Sequence, residues 1–251
     1  MTFIDWFAGV GGFRRGMELA GHECVGHCEI DKYAEISYRA MHTITEEQRE
    51  RLNKMPIKQK RSEIMKGEYL NGEWYADDIR RVGADDAPKA DCYCFGFPCQ
   101  SFSIAGNRRG FEDARGTLFF EVLRIAKARQ PKILFAENVA GLLNHDGGTT
   151  FTTIINSMAD LGYSVEWQVL NSRYFGVPQN RERVFIIGHL GNGSGQQVFP
   201  IATDYPKTNE LQGQRNSVVA NCLDTRIDGD TRGTYPISGG GVLKVSGYHR
   251  K

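Results

Sequence analysis

Apolar and polar positions along the chain switch repeatedly between short β-prone runs and longer helical patterns. Strands are predicted at TFIDWFAG, HECVGHCEID, DCYCFGF, KILFAEN, YSVEWQVLN and RVFIIGHL. Amphipathic helices are predicted at GFRRGMELAG, KYAEISYRAMH, GTLFFEVLRIAKARQ and TFTTIINSMADLG. Strands that alternate with helices at short intervals indicate βαβ units. The pattern therefore predicts an α/β fold with a doubly wound, mostly parallel sheet.

Two segments depart from this alternation. Residues 43–75 are charged, carry Pro56 and show no strong period, which indicates a partly helical insertion. From Gly191 onward, a linker-like GNGSGQQ leads into sequence rich in Gly, Thr, Asn and Asp, with short β-prone pieces TYPI and VLKV. We therefore predict a main domain of residues 1–190 that contains the insertion, followed by a separate segment of residues 191–251.

Composition narrows the class of protein. The chain has 251 residues, 40% of them hydrophobic, and a net charge of +1, so a nucleic-acid surface would have to be a local patch. The N-terminus lacks the features of a secretory signal and no apolar window is long enough to span a membrane, so we expect a cytoplasmic protein without a membrane partner. In that setting disulfides are not expected, and without paired histidines we expect no metal site. The cysteines are Cys24, Cys28, Cys92, Cys94, Cys99 and Cys222.

One cysteine stands apart from the others. In CFGFPCQSFS, Pro98 removes a backbone donor and ends the strand, so Cys99 begins a polar loop. Reactive groups are often displayed at such positions. These ten residues alone leave both a nucleophile and a structural thiol open.

A glycine-rich loop, FAGVGG, joins the first strand to the first helix. The dinucleotide fingerprint needs a third glycine where this chain has Arg14, so the loop fits NAD poorly and weakens a dehydrogenase interpretation. Glu29 follows the second strand, where a carboxylate can accept ribose hydroxyls. A ribose without a pyrophosphate suggests an adenosyl ligand such as S-adenosylmethionine, and a purely structural tight turn is the alternative.

The ordered stretches FIDWFAGVGGF, CEIDKYA, DDI, FGFPCQSFS, RGTLFFEV, AENV and PQNRERVFIIG resemble the DNA (cytosine-5) methyltransferases over about residues 3–188. The resemblance implies a Rossmann-like fold of the S-adenosylmethionine-dependent type and makes residues 1–190 the catalytic and cofactor-binding domain. It implies a catalytic set of Cys99, Glu137, Arg181 and Arg183. It implies that S-adenosylmethionine is bound by Phe7, Gly9, Gly11, Glu29, Asp78, Ile79, Pro98 and Leu118.

The chemistry of cytosine methylation explains these residue types. A thiolate at Cys99 would attack C6 of cytosine and make C5 electron-rich enough to accept a methyl group. A carboxylic acid at Glu137 would neutralise charge at N3, and an arginine would bind O2. The base must first be extruded from double-stranded DNA, and the loop after the cysteine, with Arg108 and Arg109, would close over the phosphates.

The C-terminal part departs from the family pattern. No TPxE-like segment follows the QNRER motif. NSVVANCL resembles a displaced closing element with Arg215 in place of its usual glycine, but VANCLDTRIDGDTRGTYPI better resembles the stretch that introduces the recognition region, because β-prone sequence and glycines follow it. We therefore expect residues 191–251 to be a linker and a partial, truncated target-recognition segment. Expected partners are a restriction endonuclease or a complementing polypeptide. A catalytically impaired nucleic-acid-binding or cofactor-binding remnant and an RNA (tRNA) cytosine-5 methyltransferase stay open as alternatives.

Overall fold

The computed structural model describes residues 1–98, 118–191 and 198–201, together with the backbone of residues 234–236 and 242–244. The described residues fall into two compact units. The first unit contains Met1–Phe97 and Leu118–Pro131, and the second contains Pro98 and the described residues from Lys132 onward. Their boundaries differ from the sequence division at residue 190, which stays a prediction.

The first unit is built on parallel strands. They are β1 (Thr2–Trp6), β2 (Glu23–Cys28), β3 (Trp74–Ala76) and β4 (Cys92–Gly96). Strand β1 pairs with β2 and β4, and β2 pairs with β3, every pair parallel. Parallel strands are usually covered on both faces, which fits the nearly continuous apolar runs in β1 and β4.

Helices of the first unit occupy the predicted places. They are α1 (Gly12–Leu19), α2 (Lys32–His42), α3 (Glu46–Asn53), α4 (Ile57–Ile64) and α5 (Leu118–Arg129). The Asp31 carboxylate caps α2 by accepting hydrogen bonds from the amides of Tyr33 and Ala34, which confirms the predicted cap. The insertion is partly helical as predicted, and Leu52, Ile64 and Tyr69 give it a small core.

The buried side of α1 carries a charged residue. Met17 is buried and Ala20 is exposed, but Arg14 is only 6% exposed. The guanidinium therefore points inward, where an apolar side chain would normally lie.

The second unit contains antiparallel strands and one α-helix among its described residues. They are β5 (Ile133–Val139), α6 (Thr149–Asp160), β6 (Tyr163–Asn171) and β7 (Glu182–Leu190). Strand β7 pairs with both β5 and β6 in antiparallel register. The β-prone pieces TYPI and VLKV contain a separate antiparallel pair, β8 (Thr234–Pro236) and β9 (Val242–Lys244).

Two side chains of β6 hold the segment Val198–Ile201. The Glu166 carboxylate accepts hydrogen bonds from the amides of Val198 and Phe199, each at 2.9 Å. Gln168 accepts from the Ile201 amide at 2.8 Å and donates to its carbonyl at 3.1 Å. The segment is thus anchored to β6 through side chains and not through a strand ladder.

The predicted α/β class is confirmed, because strands and helices alternate and the seven strands β1 to β7 include parallel and antiparallel pairs. Among the helices that the structure describes, none is long and apolar enough to cross a membrane.

Candidate active site

The loop Phe7–Gly11 joins β1 to α1 in an unusual backbone conformation. Phe7, Gly9 and Gly11 have φ values of 57°, 57° and 87°. The Ala8 amide donates to Cys28 O at 3.0 Å, and the Gly11 amide donates to Ala8 O at 2.8 Å. A side chain added at Gly9 would find no atom within 4 Å, so the backbone there is open to a ligand.

Glu29 ties this loop to the end of β2. One carboxylate oxygen accepts from the Gly9 amide and the other from the Asp31 amide, each at 2.7 Å. A carboxylate has about four acceptor positions, so these two bonds leave room for two ribose hydroxyls. Glu29 is 9% exposed, and its orientation is fixed on both sides.

Asp78 and Ile79 follow β3. The Asp78 carboxylate caps the short 3₁₀ turn Ile79–Arg81 by accepting from the Arg80 amide at 3.0 Å. The Arg80 guanidinium lies 2.7 Å from the same carboxylate, and its hydrogen bond holds the pKa of Asp78 below the usual value. Ile79 is buried, and its carbonyl accepts from Arg124 of α5.

The predicted cofactor residues of the first unit lie close to the ends of its elements. Phe7 and Gly9 follow β1, Glu29 follows β2 and Asp78 follows β3. Since these strands are parallel, their carboxyl ends lie at the same edge, which is where α/β sheets bind ligands. Leu118 is half-buried at the first turn of α5. Pro98, predicted for the same site, belongs to the second unit and is exposed.

Glu137 and Arg183 form an ion pair in the second unit. The register pairs Val139 of β5 with Arg183 of β7, so Glu137, two residues before Val139, lies diagonally across from Arg183 on the same face. Arg183 Nε is 2.7 Å from Glu137 Oε1. The side chain of Glu137 is 24% exposed and that of Arg183 is 19% exposed, so both remain accessible. The predicted strand KILFAEN ends one residue after Glu137, whereas β5 continues to Val139.

Arg181 precedes β7 and is exposed. Its amide donates to Asn171 Oδ1 at 3.3 Å, and its carbonyl accepts from the Ser172 amide at 3.0 Å. Its guanidinium has no partner among the residues that the structure describes, so the backbone is fixed while the charge stays free to bind an acceptor.

Cys99, Arg108 and Arg109 lie outside the described residues. Their predicted roles as nucleophile and as phosphate-binding flap therefore stay predictions. The four described cysteines lie in strands, Cys24 and Cys28 in β2 and Cys92 and Cys94 in β4. Cys28, Cys92 and Cys94 are buried and Cys24 is half-buried. Burial raises the pKa of the Cys24 and Cys28 thiols to about 12.

A buried charge network beneath the glycine loop was missed by the sequence reasoning. Arg14 Nη1 donates to both carboxylate oxygens of Glu73 at 2.7 Å, and its Nε donates to Glu18 at 2.8 Å. His27 lies between two carboxylates, 2.8 Å from Glu73 and 3.0 Å from Glu35. An arginine on the inner side of α1 was the available signal, because such a charge needs a buried partner.

A known family matches most of this chain. The model of the C-5 cytosine-specific DNA methylases matches residues 1–67 and 57–235. The chain belongs to this family. Among curated relatives of this DNA methylase chain, Type II methyltransferase M.HhaI of Haemophilus parahaemolyticus is 41% identical over 187 residues, which cover 74% of this chain and 48% of the relative. Type II methyltransferase M.HpaII of Haemophilus parainfluenzae is 42% identical over 207 residues, covering 81% and 50%. The chain thus spans about half the length of these relatives.

Solved structures support the fold of the DNA methylase chain. The Dnmt2 methyltransferase of S. pombe matches with a TM-score of 0.53 and 18% identity, covering 78% of this chain and 51% of that one. An E. coli prophage-encoded structure, described as a putative DNA modification methyltransferase, matches with a TM-score of 0.52 and 21% identity, covering 76% and 47%. The family assignment and the methyltransferase-type α/β fold predicted from the sequence are confirmed.

Proposed function

We propose that the chain transfers a methyl group from S-adenosylmethionine to C5 of a flipped cytosine in double-stranded DNA. The observation that carries this proposal is the accessible Glu137–Arg183 pair, held at 2.7 Å on neighbouring strands of a chain from the DNA methylase family. An acid and a guanidinium on one face are complementary to the N3 and O2 edge of cytosine.

The first unit fits an adenosyl ligand. The open backbone at Gly9 admits close approach, and the fixed Glu29 carboxylate has acceptor positions left for ribose hydroxyls. We propose that the cofactor is held by Phe7, Gly9, Gly11, Glu29, Asp78, Ile79, Pro98 and Leu118. When bound, S-adenosylmethionine supplies an electrophilic methyl group.

The second unit, together with Cys99, would act on the base. The Cys99 thiolate forms a bond to C6, and the ring electrons that this bond displaces make C5 nucleophilic. Glu137, in its acid form, donates to N3, while Arg181 or Arg183 binds O2. After C5 gains the methyl group, a base removes its proton and the thiolate leaves. Glu137 must exchange its hydrogen bond to Arg183 for one to the base. Because both side chains are partly exposed, this exchange is possible.

The partners of the whole protein are also proposals. Two relatives are named Type II methyltransferases, which supports a place in a restriction–modification system and a restriction endonuclease as a functional partner. A complementing polypeptide remains the second proposed partner, since the matched relatives are about twice as long as the aligned part.

Covalent trapping tests the proposed reaction. A long duplex of mixed sequence in which 5-fluorocytosine replaces every cytosine presents a trapping base in many sequence contexts, so the recognised sequence need not be known. Fluorine cannot leave as the proton does, so the adduct persists after methyl transfer. With S-adenosylmethionine, the wild-type protein should give a DNA-linked band on a denaturing gel, and Cys99→Ser should not.

Two further measurements separate the RNA methyltransferase and the binding remnant from the proposed activity. A 5-fluorocytosine-substituted tRNA transcript should not trap the protein, and an adduct formed only on this transcript would favour an RNA methyltransferase. Absence of an adduct on both nucleic acids, from protein that binds S-adenosylmethionine, would contradict the proposed activity and favour a binding remnant.

A further inference from the structure

His42, the last residue of α2, lies against the tip of the glycine loop. Its Nε2 is 3.0 Å from Val10 O, and a Cβ added at Gly11 would collide with the same imidazole. The contact joins residues 32 positions apart. The imidazole thus occupies the space behind the loop and bonds to its backbone.

The insertion fixes the place of this imidazole. The next residue, Thr43, donates its hydroxyl to Tyr69 O at 2.6 Å, and Asn71 Nδ2 donates to Thr43 O. On the other side, Arg14 Nη2 donates to His42 O at 3.4 Å. The end of α2 is therefore bonded both to the insertion and to the helix that follows the loop.

The loop itself needs such a support. Gly9 and Gly11 both have positive φ, and glycine has more backbone freedom than any other residue, so the conformation is not enforced by local sterics. Within the loop, the Gly11 amide bonds to Ala8 O, and the Gly9 amide bonds to Glu29. The His42 bond to Val10 O lies between these two attachments and holds the tip.

We infer that His42 is a positioning residue that keeps the Phe7–Gly11 loop in the form that accepts the adenosyl cofactor, an inference that rests on the proposed function. The imidazole does not need to touch the ligand. It acts through the loop backbone, and the insertion fixes its position. Loss of the bond leaves the loop free to open, and the cofactor must then close it at a cost in affinity.

Amide hydrogen exchange tests the support without any ligand. In His42→Ala, exchange of the Gly11 amide should accelerate several-fold, up to about tenfold, since one hydrogen bond contributes roughly this factor. His42→Gln keeps a side-chain donor and should restore slow exchange in part. His22→Ala, at a half-buried histidine of the same unit, is the matched control and should leave exchange of the Gly11 amide unchanged. An unchanged Gly11 rate in His42→Ala would overturn the inference.

Titration calorimetry with S-adenosylmethionine tests the consequence. Affinity should fall about five- to twentyfold in His42→Ala, less in His42→Gln and not in His22→Ala. Equal affinity in wild type and His42→Ala would overturn the inference while leaving the proposed function standing. Absence of binding to the wild type would count against the proposed function, and the exchange experiment would still decide the role of His42. Should the alanine variant unfold, His42→Leu, which fills the space without a donor, takes its place in both measurements.

Discussion

The buried charge network of the first unit and the Glu137–Arg183 pair of the second unit present charge in opposite ways. In the network and around it, Asp5, Arg14, His27, Glu35 and Arg39 are each at most 6% exposed. In the second unit, Glu137 and Arg183 pair on a partly exposed strand face. The buried groups fix backbone, whereas the exposed pair can exchange partners. This contrast fits the proposed roles: a cofactor pocket in the first unit that must be ready before its ligand arrives, and side chains in the second unit that must rearrange around a base.

The most severe test of this contrast is Glu137→Gln. The amide cannot donate an acidic proton, so the rate of methyl transfer should fall about 10²–10³-fold. Affinity for S-adenosylmethionine should not change, because the proposed cofactor residues lie mainly in the first unit. The measurements are single-turnover transfer of a radiolabelled methyl group to DNA and calorimetric titration of the cofactor.

Glu182→Gln, an exposed carboxylate beside Arg183 on the same strand, is the matched control and should keep the wild-type rate. If Glu137→Gln lowered cofactor affinity as strongly as the rate, the two units would not divide the work as described.

Breaking the buried network should reduce stability. Arg14→Gln removes the guanidinium from Glu73 and leaves that carboxylate buried without its main cation. The free energy of unfolding should fall by about 3 kcal/mol, as expected when one partner of a buried pair is removed. Urea denaturation followed by circular dichroism measures the change. Arg15→Gln, at the exposed neighbouring position on α1, should unfold at the wild-type midpoint, and an equal loss in that control would refute the role of the network.

The pH dependence of stability should reveal Asp5. Burial raises the pKa of its carboxyl to about 8, against the opposing hydrogen bond from the Arg14 amide. The unfolded chain releases this proton near pH 4, but the folded protein retains it up to about 8. The contribution of the neutral acid is thus complete below pH 4 and is lost as the pH rises to about 8.

Asp5→Asn removes this titration and keeps an oxygen for the Arg14 amide. Between pH 5 and 7, the stability of the variant relative to wild type should rise by up to about 2–3 kcal/mol. Urea denaturation curves at the two pH values measure the difference in the free energy of unfolding. Parallel pH profiles for the variant and wild type would show that the carboxyl does not titrate as inferred.

The smallest expected effect comes from weakening the hydrogen bonds that Glu29 makes to the Phe7–Gly11 loop and to Asp31. In Glu29→Gln, the amide nitrogen faces one of the two backbone N–H groups that the carboxylate now satisfies, and one bond is lost. Affinity for S-adenosylmethionine should fall about tenfold, as measured by calorimetry. Glu23 is exposed at the start of β2, the strand that Glu29 follows, and Glu23→Gln should bind S-adenosylmethionine with wild-type affinity. Unchanged affinity in Glu29→Gln would show that the carboxylate does not contribute to the cofactor pocket.

Local signals predicted the parts of the molecule that local physics decides. The apolar periods located β1, β2 and β4 to β7 and the helices outside the insertion, but they missed β3, a strand of three residues at the end of the aperiodic insertion. Asp31 before a helical pattern identified its cap, because a cap depends on neighbouring residues. The glycine loop and Glu29 were likewise predicted from their places after β1 and β2. Their mutual hydrogen bond was not, since it depends on how the loop folds back.

Long-range charge pairing was beyond the sequence. Arg14 was interpreted only as the residue that replaces a glycine, but its partner Glu73 lies 59 positions away in a segment without periodicity. The Glu137–Arg183 pair required the register of β5 against β7, which no spacing along the chain reveals. Pattern reasoning places residues on elements, and register decides which of them meet.

The attachment of Val198–Ile201 to β6 has a practical consequence. Glu166 and Gln168 bind main-chain atoms of this segment, and the side chain of Phe199 is buried. Ile201 is exposed and contacts Gln168 through its main chain, so it is a suitable junction for grafting. Foreign sequence joined after Ile201 would start from the same point in space, provided that Val198–Ile201 stays unchanged.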